Sequence, residues 1–167
     1  RGTPILVQIF IIYYGLPQLE FVRDGIFWPI LREPFGCAIV ALTLNTGAYL
    51  SEIFRGGVLG VDRGLKEAGS ALGLSVTDRF IYITAPIAIR LCLPAYSNDV
   101  VSLMKSTALA STITLLDMMG IARTIVAETY APYEVFISVM VIYLIITWAI
   151  QRTFGWIEKR MSRHVRQ

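Results

Sequence analysis

Polar and apolar positions in this chain segregate by whole segments rather than by helix turns. Four apolar stretches stand out, at about 4–22, 34–54, 88–112 and 133–156. Crossing the hydrocarbon core of a bilayer takes roughly 20 apolar residues in a helix, with a range near 17–25. The stretch from Val135 to Gln151 carries no charge and is bracketed by Tyr133 and Trp156, side chains suited to a membrane surface. Pro34 to Phe54 has no charge before Glu52, and Gly36, Ala38, Ala41, Gly47 and Ala48 would let neighbouring helices approach closely. Pro4 to Leu19 is somewhat short; reaching Val22 places Glu20 at the interface, and a buried core helix is the alternative. The stretch from Ile87 to Leu116 exceeds one bilayer thickness. It reads as an approach segment, a kink near Pro94, and a helix with a polar stripe. The pattern predicts an all-α, polytopic membrane protein forming one transmembrane domain over 1–167.

Between the second and third stretches lies the longest polar interval, Asp62 to Pro86, inside a loop over about 55–86. Lys66, Glu67, Asp78 and Arg79 supply its charge, and Leu65, Ala68, Ala71, Leu72 and Leu74 supply an apolar face. A short amphipathic helix that ends at Gly73 is expected. Resting on lipid headgroups is one role for such a helix, and holding another protein is a second.

Composition sharpens this picture. Of 167 residues, 55% are apolar and 16% charged, against about 25% charged in average soluble domains. The net charge of +3 is no sign of nucleic acid, because Lys and Arg are confined to particular inter-segment stretches. Arg55, Arg63, Lys66, Arg79 and Arg90 lie around the long loop, and Arg152, Lys159, Arg160, Arg163 and Arg166 in the tail. The other two connectors carry Arg23 and Arg32, or Arg123 alone, among acidic residues. The positive-inside rule then sets the loop and the tail on the cytoplasmic side, and four spans would return Arg1 to that same side. Cys37 and Cys92 are far apart and the lone His164 has no companion ligand, so neither a disulfide framework nor a metal site is indicated.

Phosphate-loop, H-E-x-x-H and G-x-S-x-G patterns are lacking, so catalysis by this chain, and a cofactor for it, are not expected. The polar stripe carries the chemistry of the third stretch. Asn98, Ser102 and Lys105 stand at i, i+4 and i+7 on one helix face, and Asp99 at the edge of an overlapping stripe with Ser102 and Ser106. Ionised groups at membrane depth are costly and usually face a partner or a water-filled route. Asp99 therefore reads either as part of a substrate pathway meeting a cationic group or as a hydrogen-bond partner of a neighbouring helix. Lys105 reads either as part of that pathway or as a side chain reaching to the interface.

The spacing E-A-G-x-x-x-G from Glu67 to Gly73, followed after nine residues by I-x-A-P from Ile83 to Pro86, resembles the E-A-A loop of bacterial ABC importer permeases. Gly69 stands where that pattern has a second Ala, and Ala85 where it has Leu. The segments Arg1–Phe10, Ala41–Tyr49, Leu93–Val100 and Ser106–Ser111 resemble the polar amino acid subfamily, and within it the permeases for histidine, lysine, arginine and ornithine and for octopine and nopaline. The resemblance implies a MetI-like helical bundle in the bacterial inner membrane, with one further span upstream of Arg1. It implies a cytoplasmic ATPase dimer docked on Glu67, Ala68, Gly69, Gly73, Ile83 and Pro86. A second permease subunit, forming a heterodimer, and a periplasmic or extracellular substrate-binding protein complete the implied partners, with membrane lipid around them. The expected activity is import of a basic amino acid or opine. An ATP-independent channel or carrier is the rival, and a membrane scaffold without a transport role is a second.

Overall fold

A computed structural model describes residues 2–162; Arg1, Arg163, His164 and Arg166, used above, lie outside the described residues. The described chain is helical. In order come α1 (Ile5–Gln18), the short turns α2 (Glu20–Arg23) and α3 (Trp28–Leu31), α4 (Pro34–Leu59), α5 (Arg63–Ala71), α6 (Val76–Ile113), α7 (Met118–Thr129) and α8 (Pro132–Ser162).

Among the described residues three helices, α4, α6 and α8, are long and apolar enough to cross a membrane, against the four stretches expected from the sequence. Helix α1 is shorter. It stops at Gln18 because Leu19 turns to extended backbone (φ −90°, ψ 118°), so the helix does not continue to Val22. At 1.5 Å per residue its 14 residues reach about 21 Å, short of the roughly 30 Å hydrocarbon core. Two further differences from the sequence reading have local causes. Helix α6 begins at Val76 rather than near residue 88, because Ser75 caps it: the Ser75 hydroxyl accepts the Asp78 N–H at 3.1 Å. The connector after Asp117 contains α7, capped where the Asp117 carboxylate accepts the Gly120 N–H at 2.9 Å.

Prolines shape two of these helices. Pro17 and Pro86 each follow a π-helical segment, Ile11–Gly15 and Phe80–Thr84. In both, the residue just before the proline donates to a carbonyl five positions back, Leu16 to Ile11 and Ala85 to Phe80. Proline cannot donate to the carbonyl four back and its ring crowds it, and the wider turn makes room. Pro94 lies within α6, which remains helical through it.

The chain forms two compact units. The first comprises 1–48 and 101–148. Its core is Ile9, Ile12, Cys37, Ala38, Ala41, Ala110 and Ile113, joining α1, the start of α4 and the 3₁₀ end of α6 over Thr107–Ile113. Small residues on α4 make that closeness possible, and Gly36 sits directly against the Ile30 carbonyl. Asn45 donates to the Gln8 side chain at 3.1 Å, satisfying two amides between α4 and α1. The second unit comprises 49–100 and 149–167. There α4 and α6 meet at Gly57, where a Cβ would lie 2.9 Å from the Ala88 carbonyl oxygen, and Cys92 donates to the Ile53 carbonyl at 3.2 Å. Tyr96 and Phe154 pack edge to face at 5.6 Å.

Gly36 and Gly47 separate packing from helix propensity. A Cβ at Gly36 overlaps backbone, whereas one at Gly47 meets nothing within 4 Å. Gly36→Ala should cost about 1–3 kcal/mol as overpacking, and Gly47→Ala should leave the unfolding temperature of the purified protein at or above wild type. Equal effects in a thermal unfolding assay would contradict this account of the α4 start.

Candidate functional site

The polar interval folds as α5, a turn and the start of α6, all within the second unit. Asp62 caps α5, its carboxylate accepting the Gly64 N–H. The helix ends in a Schellman arrangement: Leu74 N–H donates to the Gly69 carbonyl at 3.1 Å and Gly73 N–H to the Ser70 carbonyl at 3.0 Å. Gly73 occupies the left-handed position this requires, with φ +78°.

Two cations hold α5 to the neighbouring helices. Lys66 Nζ donates to the Val58 carbonyl, in the last turn of α4, at 3.2 Å. Arg79, in the first turn of α6, donates from Nη1 to the Lys66 carbonyl at 3.4 Å and to the Ser70 hydroxyl. Between these contacts Gly69 is buried, and a Cβ there would lie 2.7 Å from Ile83 Cδ1 and 3.2 Å from Arg79 Cγ. The face α5 turns inward is thus its small and cationic one.

Its apolar face points the other way. Leu65 and Ala68 are exposed, Leu72 is 81% exposed beside Ala71, and Glu67 is exposed as well; of the apolar set only Leu74 is half-buried. This short helix thus buries its glycine and displays its leucines.

The residues singled out in the loop therefore divide. Gly69, Gly73, Ile83 and Pro86 have architectural roles: close packing, a left-handed turn, contact with α5, and the π-helical segment. Glu67 and Ala68 are presented outward. Lys66 and Arg79 are positions fastening α5 that the sequence marked only as loop charges. Each binds a backbone carbonyl, and such a partner leaves no signature in side-chain spacing.

The pathway candidates all lie on α6, with Asn98, Ser102 and Lys105 exposed and Asp99 half-buried. Asp99 Oδ2 is buried and accepts no hydrogen bond among the described residues. Hydroxyls along the helix end turn back on their own backbone: Ser106 donates to the Ser102 carbonyl at 2.9 Å and Thr107 to the Met104 carbonyl at 2.6 Å.

A helical membrane chain with this loop invites comparison with known transport subunits. The family of binding-protein-dependent transport system inner membrane components matches residues 1–163. The chain belongs to that family. It is 50% identical to the octopine transport system permease protein OccM of Rhizobium meliloti, over 98% of this chain and 69% of that protein. It is 48% identical to the nopaline permease protein NocM of Agrobacterium fabrum, over 99% of this chain and 69% of the relative. Identity to the histidine/lysine/arginine/ornithine permease protein HisM of Escherichia coli K12 is 43%, over 99% and 70%. A crystal structure of an amino acid ABC transporter with histidines superimposes with a TM-score of 0.84 at 33% identity, covering 96% of this chain and 71% of that one. The permease fold expected from the sequence is therefore the one present, and the chain is a transport component.

The helix end gives a direct test within this permease. Gly73→Ala forces an L-residue into the left-handed region, about 1–2 kcal/mol, and should speed amide exchange across α5 by roughly five- to thirtyfold. Gly69→Ala meets the flexible end of Ile83 and the mid-chain carbons of Arg79 and should change exchange by less than about threefold, within the roughly 0.5–1 kcal/mol by which alanine is favoured over glycine in a helix. Comparable acceleration in both would refute the assignment of Gly73 as the turn on which α5 ends.

Proposed function

We propose that this chain is a permease subunit of an ATP-driven importer of a basic amino acid or opine, and that α5 is the element on which a cytoplasmic ATPase dimer docks. The observation that carries the reading is the outward face of α5. Leu65, Ala68, Ala71 and Leu72 are displayed with Glu67, while the helix is fastened from behind by Lys66 and Arg79. The loop and the tail face the cytoplasm, as the Lys and Arg distribution favours, and α4, α6 and α8 cross the membrane. A second permease subunit completes the pathway, and a substrate-binding protein delivers substrate from the opposite side.

In this scheme the ATPase moves α5 as a rigid body. Lys66 passes the displacement to the end of α4 and Arg79 passes it to the start of α6. The stripe of Asn98, Asp99, Ser102 and Lys105 on α6 faces the route, and Asp99 meets the cationic group of the substrate. Support for that role comes from its buried, unpartnered Oδ2 and from the cationic substrates named for the HisM relatives.

Glu67→Ala with Leu72→Asp should abolish ATP-dependent uptake in vesicles while membrane insertion stays normal, and cross-linking from α5 to the ATPase should be lost. Lys66→Met with Arg79→Gln should keep the cross-link and ATP hydrolysis but lose uptake, because docking survives and transmission does not. Uptake by the first variant at wild-type rates, or uptake that never needed ATP, would favour a channel or carrier instead. Asp99→Asn should raise the apparent KM for cationic substrate about tenfold or more, the size expected for a hydrogen bond to a charged group. Unchanged kinetics at equal membrane levels would remove Asp99 from the pathway.

A further inference from the structure

The carboxy-terminal part of α8 carries a cleft of about 510 Å³ lined by Arg152, Thr153, Gly155, Trp156 and Lys159. Helix α8 is uncharged from Val135 to Gln151, so Arg152 is the first charge past the apolar run and marks the edge of the hydrocarbon. Lys159 lies about 10 Å further along the axis, enough to span the headgroup layer, which is roughly 5–8 Å thick on each side.

The charges are sorted around the helix. At 100° per residue, Arg152, Trp156, Lys159 and Arg160 fall within an arc of about 100°, while Glu158 lies about 120° from Arg152. An anion on the basic face therefore meets no carboxylate of this helix. Arg160 stacks its guanidinium on the Trp156 ring, 5.3 Å from the centroid, which orders both side chains. Gly155 faces the open space of the cleft, since a Cβ there would meet nothing within 4 Å. Thr153 adds no competing donor, because its hydroxyl is committed to the Ala149 carbonyl at 2.9 Å.

We propose that this face of α8 binds the headgroup of an anionic phospholipid. Arg152 and Lys159 contact the phosphate, Trp156 packs on the glycerol region, and the acyl chains lie along the apolar run below Arg152. The hydrocarbon that begins at Arg152, the first charge after the apolar run, is what selects a lipid over free phosphate. The proposal uses the membrane location and not the docking role of α5, so it stands if the latter fails.

The test uses the full-length protein, purified with its associated subunits into nanodiscs of mixed phosphatidylglycerol and phosphatidylcholine, and counts retained lipid by native mass spectrometry. Phosphatidylglycerol should be retained over phosphatidylcholine. The preference should fall about fivefold for each of Arg152→Gln and Lys159→Gln, the effect of one basic residue at an anionic membrane surface. Gly155→Leu should lower it with every charge intact, by filling the cleft. Equal retention of the two lipids by the unaltered protein, or an unchanged preference in the double charge variant, overturns the proposal. Cross-linking from Gly155→Cys to another polypeptide in place of lipid overturns it too, and assigns the cleft to a protein contact.

Discussion

Two side-chain cations, each bonded to a main-chain carbonyl, hold α5 between the end of α4 and the start of α6. Val58 belongs to the last turn of α4, where carbonyls have no partner within the helix, and Lys66 satisfies it at 3.2 Å. The Lys66 carbonyl in turn accepts from Arg79 at 3.4 Å. The end of α4, the body of α5 and the start of α6 thus form one hydrogen-bonded chain. Bonds of this kind to a charged group contribute about 1.5–3 kcal/mol, nearer the low end here because the side chains are partly exposed. The cations that orientation rules count as a topology signal are, at these two positions, also the fasteners of the loop they mark.

This arrangement explains why α5 appears inverted. Its side chains at Leu65 and Leu72 would bury apolar area if the helix rolled over, yet the inward positions are held by Lys66, Gly69 and Ser70. Rolling would break the hydrogen-bonded chain and strand the α4 carbonyl. Specific polar contacts therefore oppose the non-directional hydrophobic term. The helix keeps its leucines exposed while Lys66 and Arg79 hold its other face.

Much of the fold was legible in the residues. Three of the four apolar stretches form long helices, and these, the end of α5 at Gly73 and the packing of α4 at Gly36, Ala38 and Ala41 followed from segment length, glycine placement and composition. The limits of legibility were physical. Helix α1 ends early on the backbone conformation of Leu19, which apolar pattern does not encode. The start of α6 depends on the Ser75 cap and lies in a stretch whose polarity resembles that of a loop. The outward display of Leu65 and Leu72 was hidden because periodicity says that a helix has two faces, not which one packs. At the candidate site, Glu67, Gly73 and Pro86 were marked by spacing, whereas Lys66 and Arg79 acquire meaning only through carbonyls that every residue possesses.

The departure of this loop from the E-A-A pattern, Gly69 in place of Ala, belongs to the same device. The Arg79 side chain crosses directly over Gly69 on its way to the Lys66 carbonyl and the Ser70 hydroxyl, with Cγ and Cδ 3.2 and 3.3 Å from where a Cβ would stand. A methyl there would press on the arginine and on Ile83 together, and each side chain would have to give way by a few tenths of an ångström. Glycine weakens the isolated helix by up to about 1 kcal/mol relative to alanine, and the loss falls in the middle of a nine-residue helix that has little to spare. What offsets it is the arginine lying flat in the space the missing methyl leaves. Helix propensity and tertiary contact trade against each other at one position, and the contact is the term that links α5 to α6.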